Sequence, residues 1–476
     1  YSASCPIYVK SQKFLIAYSR RKIKSRSDIL KAVSFLLETG VMRSLIIKDT
    51  QSRVYRYSLD DFLKWLNEAY RSSNGDVTIT LPTPKEEKSG FVLKHPRPLG
   101  DIVVFNSARM HPYAPAFNVF SLMWAKTFFE LGYSVHLLPN ERTREIKEYI
   151  EKTSPCLIFG GLCEKPVDCY SVIIVHDLPL WEGGFAKHHI DELKKDAKCV
   201  LFCVDKSWCT ILKEYGVKNV YFLQHYYPHE LCYPMDHLPK VFNLAFVGNF
   251  ARPHFDAPTS FKHVVDFHWK RKMEVFSYPF ISNVYRTVSK CYPFQKWQIV
   301  TTLHNAFGFV YENFRYFVLS KLAERYEIDL WGWPWIIPNE IKNHPKIKYN
   351  GPAYWLQLPI IFSTTKINLN IHRIVYDTGT QERTFILAFC KAFFLADNKE
   401  IFRDIFPEVC KEITFNNLNE LFSKVDYFLK DDSAREDISS LIYKIAIRNH
   451  TMRKSCLLYT SPSPRDLSTS RMPSSA

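Results

Sequence analysis

Short apolar runs bounded by polar or turn residues alternate with amphipathic stretches over most of this chain. From Gly100 the runs Asp101–Asn106, Ser134–Leu138, Cys156–Phe159, Ser171–His176, Cys199–Val204 and Val220–Gln224 read as strands. Phe117–Leu131 and Lys206–Tyr215 between them have helical periodicity, and each is followed by a glycine, Gly132 and Gly216, in the helix-stop position. The alternation pauses over the Pro- and His-rich connector Pro228–Pro239. It resumes with strands predicted at Asn243–Gly248, Ile328–Gly332, Lys346–Tyr349, Lys366–Ile371 and Ala392–Ala396. Strands alternating with helices build parallel sheets covered by helices. The pattern therefore predicts an α/β protein with two Rossmann-like lobes, over residues 100–227 and 240–454, the second carrying an aromatic and basic insertion over 253–312.

The two ends differ from this body. Residues 1–90 predict a small basic α+β module. A helix over Asp28–Glu38 precedes two strands, Arg43–Lys48 and Arg53–Tyr57, and Ser58 with Asp61 resembles a capping box before the helix Leu59–Tyr70. Leu81–Pro98, with four prolines, reads as a linker. Residues 455–476 turn abruptly to Ser, Pro and Arg and read as a non-native or disordered tail outside the fold. The chain opens on Tyr1 rather than Met, so its natural N-terminus is expected to lie upstream.

The 476 residues are too many for one ordinary core. No apolar run reaches the roughly 18–20 residues that span a bilayer. The 12 cysteines are scattered, and Cys199, Cys203 and Cys209 lack the paired spacing of a zinc site. Buried thiols in a reducing cytoplasm are the expectation, with no bound metal or cofactor. The net charge is +15, and residues 1–100 hold 18 Lys and Arg against 9 Asp and Glu. Such a balance favours anionic partners such as nucleotide phosphates, nucleic acid or an anionic surface touched peripherally.

Ligands of open α/β sheets bind at the carboxyl ends of the strands. The chain has neither the G-x-G-x-x-G nor the G-x-x-x-x-G-K-[ST] phosphate loop. It does have, in order, FVGN (Phe246–Asn249), DLWGWPW (Asp329–Trp335), KINLNIHR (Lys366–Arg373) and GTQERTFILAFCKAFFLAD (Gly379–Asp397). In these segments, and in the closing NLNELFSKVDYFLKDD and AIRNHTMR, the sequence resembles the spore-protein YkvP/CgeB glycosyltransferase-like family, a branch of the GT-B glycosyltransferases. The resemblance spans roughly Gly100–Lys454 and is strongest over Lys366–Lys454. It implies a GT-B enzyme that moves a hexose-type unit from a nucleotide-sugar co-substrate to an acceptor hydroxyl, without a catalytic metal and with retention of configuration. The acceptor, a glycan, lipid or protein, is expected on the N-terminal lobe and the donor on the C-terminal one.

The residue chemistry suits a nucleotide-diphosphate sugar. Gly248 and Asn249 end a strand where backbone can approach a phosphate, and Arg252 follows in the same loop. Arg315 is a second candidate cation. Gly332 and Trp333, with Trp331 and Trp335 beside them, offer a stacking platform for a base. Asn370, His372 and Arg373 lie at a strand's carboxyl end. Gly379, Glu382, Arg383 and Thr384 form the loop and helix start suited to a diphosphate. Arg383 is alternatively read as a surface cation paired with Glu382 or Asp377. Candidate acid–base groups in the N-terminal lobe are His111, His176 and Asp177, with Arg109 and Asn118 nearby; His225 reads as structural. The sequence departs from the family at two places: Ile386 stands where a ribose-binding carboxylate is usual, and Lys391 where a glycine or small residue is usual. A non-catalytic nucleotide- or sugar-binding protein is therefore the second reading. A nucleic-acid-binding protein, from a loosely winged-helix pattern over residues 20–70, is the third.

Overall fold

The computed structural model describes residues 91–106, 119–139, 144–160, 168–175, 193–227, 229, 232–250, 262–291, 314–333, 337–353, 357–452 and 454. The module read over 1–90, the tail 455–476, and Arg109, His111, Asn118, His176, Asp177, Arg252 and Trp335 lie outside the described residues, as does much of the insertion.

Among the described residues, thirteen strands form two sheets. The first contains β1 (Phe91–Leu93), β2 (Asp101–Asn106), β3 (Ser134–Pro139), β4 (Leu157–Phe159), β5 (Tyr170–Val175), β6 (Cys199–Cys203) and β7 (Val220–Phe222), in the order β1-β3-β2-β4-β5-β6-β7. The second contains β8 (Phe242–Val247), β9 (Ile328–Trp331), β10 (Ile347–Tyr349), β11 (Thr365–Asn370), β12 (Phe394–Asp397) and β13 (Thr414–Phe415), in the order β10-β9-β8-β11-β12-β13. The six-stranded sheet is parallel throughout. In the first sheet β1 runs antiparallel to β3, pairing Phe91 with Leu137. This strand falls inside the segment read as the linker Leu81–Pro98. A strand of three residues is too short to show a period of two beside prolines.

The longer helices are α1 (Val119–Glu130), α2 (Arg144–Thr153), α3 (Lys206–Glu214), α4 (Lys262–Glu274), α5 (Phe280–Cys291), α6 (314–323), α7 (Glu382–Phe389), α8 (Leu418–Lys430) and α9 (Asp432–Asn449). None of the described helices is long and apolar enough to cross a membrane. By contact density the described residues divide into one unit that lies within 91–173, 226–231 and 449–454 and a second within 174–225 and 232–448. The second unit thus holds β6, α3 and β7 together with the whole six-stranded sheet.

Strands covered on both faces read as continuous apolar runs, because neither face meets water. Ile102, Val103 and Val104 of β2 are fully buried, as are Phe394, Leu395 and Ala396 of β12. Helix ends follow local rules. Gly132 and Gly216 stop α1 and α3 in the left-handed conformation, φ 99° and 91°. Asp205 caps α3 by accepting the Ser207 amide at 2.8 Å, and Asn417 caps α8 by accepting the Glu420 amide at 2.9 Å.

The end of α7 gives a physical reason for a small residue at position 391. The Lys391 amide donates to Ala388 O at 3.1 Å and the Ala392 amide to Leu387 O at 3.0 Å. This is a Schellman closure, which places Lys391 at φ 51°. A side chain there costs about 1 kcal/mol. The ammonium of Lys391 returns little through its 3.1 Å pair with the exposed Asp236. Lys391→Gly is accordingly expected to raise stability by about 0.5–1 kcal/mol, read as a higher urea midpoint. An unchanged or lower midpoint would show that the ion pair outweighs the backbone strain.

Candidate functional site at the carboxyl edge of the six-stranded sheet

In the second sheet β9 and β10 lie on one side of β8, and β11, β12 and β13 on the other. The order of connection reverses between β8 and β11, the position at which such sheets form a ligand crevice. Register aligns the strand ends there. Val247 pairs with Trp331, and Asn370 with Ala396. The loops at 248–249, 332–333 and 371–373 consequently leave the sheet side by side, and α7 starts next to them.

These loops are in direct contact. The Gly248 amide donates to Trp331 O at 3.0 Å, and the Trp333 amide to Asn249 Oδ1 at 2.9 Å. A Cβ on Gly332 would lie 2.4 Å from Gly248 O, so only glycine permits this approach. At Gly248 the space a Cβ would take is held by Arg383, whose Nη1 would be 2.6 Å away.

Arg383 lies in the first turn of α7 and points inward. Its Nε donates to Asn370 Oδ1 at 3.0 Å, its Nη2 to Ile371 O at 2.6 Å, and its Nη1 to Val247 O. Arg315, from α6, reaches the same place from the other side. It donates to Ile371 O at 3.1 Å, to Asn249 O at 2.5 Å and to Gln381 Oε1 at 3.0 Å. Both guanidiniums lie over the Phe246 ring, at 4.9 and 5.6 Å from its centroid. Burial pushes the Arg315 pKa down to about 10 and that of Arg383 well down, the latter helped by the charge of Arg315. Neither arginine has an acidic hydrogen-bond partner among these contacts. Two buried cations bound to neutral acceptors create a positive potential beneath the edge.

A chain of side-chain hydrogen bonds runs from there into the interior. Asn370 Nδ2 donates to Thr384 Oγ1 at 2.8 Å, and the Thr384 and Thr380 hydroxyls are in contact. Thr380 Oγ1 lies 2.6 Å from His372 Nε2, and His372 Nδ1 lies 2.8 Å from Asp397 Oδ1. Burial pushes the His372 pKa down to about 4, so the ring is neutral at pH 7. Burial would raise the Asp397 pKa, but Lys399 at 3.3 Å and His372 overcome it and hold the carboxyl well below its usual range. A carboxylate accepts, so Nδ1 carries the ring proton and Nε2 accepts from Thr380. The chain therefore has one sense, from Arg383 to Asp397.

The structure thus brings Gly248, Asn249, Arg315, Gly332, Trp333, Asn370, Gln381, Arg383 and Thr384 together and ties His372 to them through Thr380. It divides them by access to solvent. Arg315, Asn370, His372, Gly379, Arg383 and Thr384 are buried, while Asn249 is exposed and Trp333, Arg373 and Glu382 are half-buried. Glu382 Oε2 lies 3.6 Å from Nε2 of the buried His225. Asp377 accepts the Ile281 and Ser282 amides at 3.0 and 2.7 Å and so closes the start of α5.

The matched portion of the chain covers this edge except for β8 and the loop after it. Residues 315–456 match a sequence family described as "Glycosyl transferase-like". The match begins at Arg315 and takes in Gly332, Trp333, Asn370, His372, Arg373 and Gly379–Thr384. No curated protein sequence matches the chain. Among solved structures, sucrose-phosphate synthase from Thermosynechococcus elongatus is similar at 10% identity and TM-score 0.47, over 75% of this chain and 97% of that one. T4 phage BGT in complex with its UDP-glucose substrate is similar at 10% identity and TM-score 0.41, over 75% and 96%. Anabaena HepE in complex with UDP and glucose is similar at 10% identity and TM-score 0.40, over 76% and 99%.

Several residues here were not singled out individually in the sequence: Thr380, Gln381, Asp397 and Lys399 in the network, and Asp205 at the start of α3. Gln381 and Thr380 are ordinary polar residues before a helix and carry no local signal. Asp205 does carry one, since an Asp directly before a helical pattern is a cap.

Proposed function

We propose that this chain is a GT-B glycosyltransferase that binds a nucleotide-diphosphate sugar at the carboxyl edge of its six-stranded sheet and passes the sugar to an acceptor hydroxyl. The observation that carries the reading is the coincidence of the glycosyl transferase-like match over 315–456 with the converging loops of that edge. Trp333 offers a face for the base, and Glu382 is an acceptor for sugar or ribose hydroxyls. The first turn of α7 and the field of Arg315 and Arg383 favour the negative diphosphate, and most of all the charge that develops as it leaves. The reaction needs no metal in this scheme. His111, His176 and Asp177 remain candidates for taking the acceptor's proton, and a cytoplasmic protein of the YkvP/CgeB type is the reading we favour.

A thermal-shift screen of nucleotide sugars tests this directly, because a ligand that binds only the folded state raises the melting temperature. A stabilising donor that is also turned over supports the proposal; no shift with any donor sinks it. Binding without turnover selects the non-catalytic reading, which Ile386 in place of a carboxylate favours. Trp333→Ala and Glu382→Gln touch only half-buried side chains. Each is expected to weaken donor binding by about tenfold, the equivalent of about 1.4 kcal/mol, with stability changed by less than about 1 kcal/mol. Calorimetric titration with the donor found in the screen reads the first quantity and urea unfolding the second.

A further inference from the structure

Asp205 is fully buried, and its contacts exceed what a helix cap requires. Its Oδ1 accepts the Ser207 amide at 2.8 Å and the Ser207 hydroxyl at 2.5 Å, which completes the start of α3. Its Oδ2 accepts two successive amides from elsewhere in the second unit, Thr378 at 2.9 Å and Gly379 at 2.8 Å. The Thr378 hydroxyl donates to Oδ1 at 3.1 Å and accepts the Lys206 amide at 3.0 Å. Asn, Ser or Thr caps a helix as well as Asp does. Only a carboxylate presents acceptor oxygens on both sides, and burying one is costly unless donors surround it.

The rest of the start of α3 grips the same loop. Trp208 Nε1 donates to Val375 O at 3.1 Å. A Cβ on Gly379 would lie 2.1 Å from Val204 O, so the two backbones meet with no room between them. Beyond Gly379 only Thr380 and Gln381 precede Glu382 and α7. Thr380 is held by His372, and Gln381 by Arg315. A shift of the Thr378 and Gly379 amides has little slack to absorb it before it reaches α7.

We propose that Asp205 is a positioning residue of the donor site: its carboxylate fixes the loop 378–381 and so sets where Glu382 and the first turn of α7 stand. This rests on the function proposed above, and it adds a residue that touches no ligand. Asp205→Asn keeps one acceptor oxygen and loses the other, so cap and loop cannot both be held. Donor KM is expected to rise about tenfold with kcat within about twofold, the pattern of lost binding that is common to ground and transition states. Amide hydrogen exchange over 378–384 is expected to quicken selectively. Ser207→Ala removes a cap hydroxyl and leaves the loop amides bonded; it is expected to lower stability while changing neither donor KM nor exchange over 378–384. Should Asp205→Asn fail to fold, Thr378→Val removes the hydroxyl between Lys206 and Asp205 and is expected to shift both readouts the same way by less.

Unchanged exchange over 378–384 in both Asp205→Asn and Thr378→Val overturns the proposal. So does a donor KM that falls in Asp205→Asn, since the carboxylate would then be obstructing the site. Exchange is read without donor. A wild type that bound no nucleotide sugar would therefore sink the function above and leave the Asp205 assignment to be decided by exchange.

Discussion

Arg383→Ala is expected to destabilise the fold by about 3 kcal/mol, through buried acceptors that lose a charged donor. The sequence offered two other outcomes, a loss of donor affinity or almost nothing, according to whether the guanidinium met a phosphate or a surface carboxylate. The structure gives the side chain a different task. Its nitrogens hold Asn370 Oδ1, Val247 O and Ile371 O, which belong to two neighbouring strands and the loop after one of them. Ile371 O keeps Arg315 Nε, and Asn370 Oδ1 keeps Gln381 Nε2 at 3.3 Å, so the loss is less than three full desolvation penalties. Relief of repulsion between the two arginines reduces it further. Lost contact with the Phe246 ring acts the other way. Arg383→Lys is expected to recover little, because one ammonium cannot span three acceptors held by a planar fork. Urea unfolding measures both variants. A loss under about 1 kcal/mol for the alanine variant, the value of an exposed cation, would mean that the guanidinium faces solvent.

The same residues show what the sequence made legible. Buried parallel strands such as Val103 in β2 and Leu395 in β12 stand out because neither face meets water, and Gly132 and Gly216 mark helix ends because few other residues take positive φ cheaply. The two Rossmann-like sheets follow from that alternation. Strands β1 and β13, of three and two residues, are too short to carry a period. Within the candidate site, the strand ends were legible and the side-chain directions were not. Gly248 reads as room for an approaching phosphate, yet the nearest atom to its missing Cβ is Arg383 Nη1. His372 reads as a cleft residue, yet it is buried between Asp397 and Thr380. Both outcomes depend on partners far away in sequence, which spacing along one strand does not reveal.

Between pH 6.5 and 4 the stability of the wild type conceals two opposed slopes, which single variants are expected to uncover. His372 is fully buried and its pKa is pushed down to about 4, against about 6.5 in an unfolded chain. The unfolded chain therefore takes up this proton first as the pH falls. The stability tied to the neutral ring is complete above pH 6.5 and is lost towards pH 4, by up to about 3 kcal/mol. Asp377 works in the other direction. Burial first, and the nearby Asp205 charge second, push its pKa up to about 6 despite the donors at Ile281 and Ser282. The folded state now takes up the proton first, so stability rises as the pH falls from about 6 towards 4, again by up to about 3 kcal/mol. In the wild type the two contributions nearly cancel. Asp377→Asn removes the second and is expected to lose stability steeply on acidification relative to wild type. His372→Asn removes the first and is expected to gain relative to wild type over the same window. The lost hydrogen bonds and the removed charge also change absolute stability at pH 7, so the informative quantity is the difference in slope. Titrating groups that interact with neither residue are common to the three proteins and drop out of it; Asp397, held down in part by His372, and Asp205, beside Asp377, do not. Urea midpoints at half-unit pH steps measure these slopes; an Asp377→Asn curve parallel to wild type would mean that the Asp377 pKa is not raised in the fold, and a His372→Asn curve parallel to wild type would mean that His372 is not held neutral.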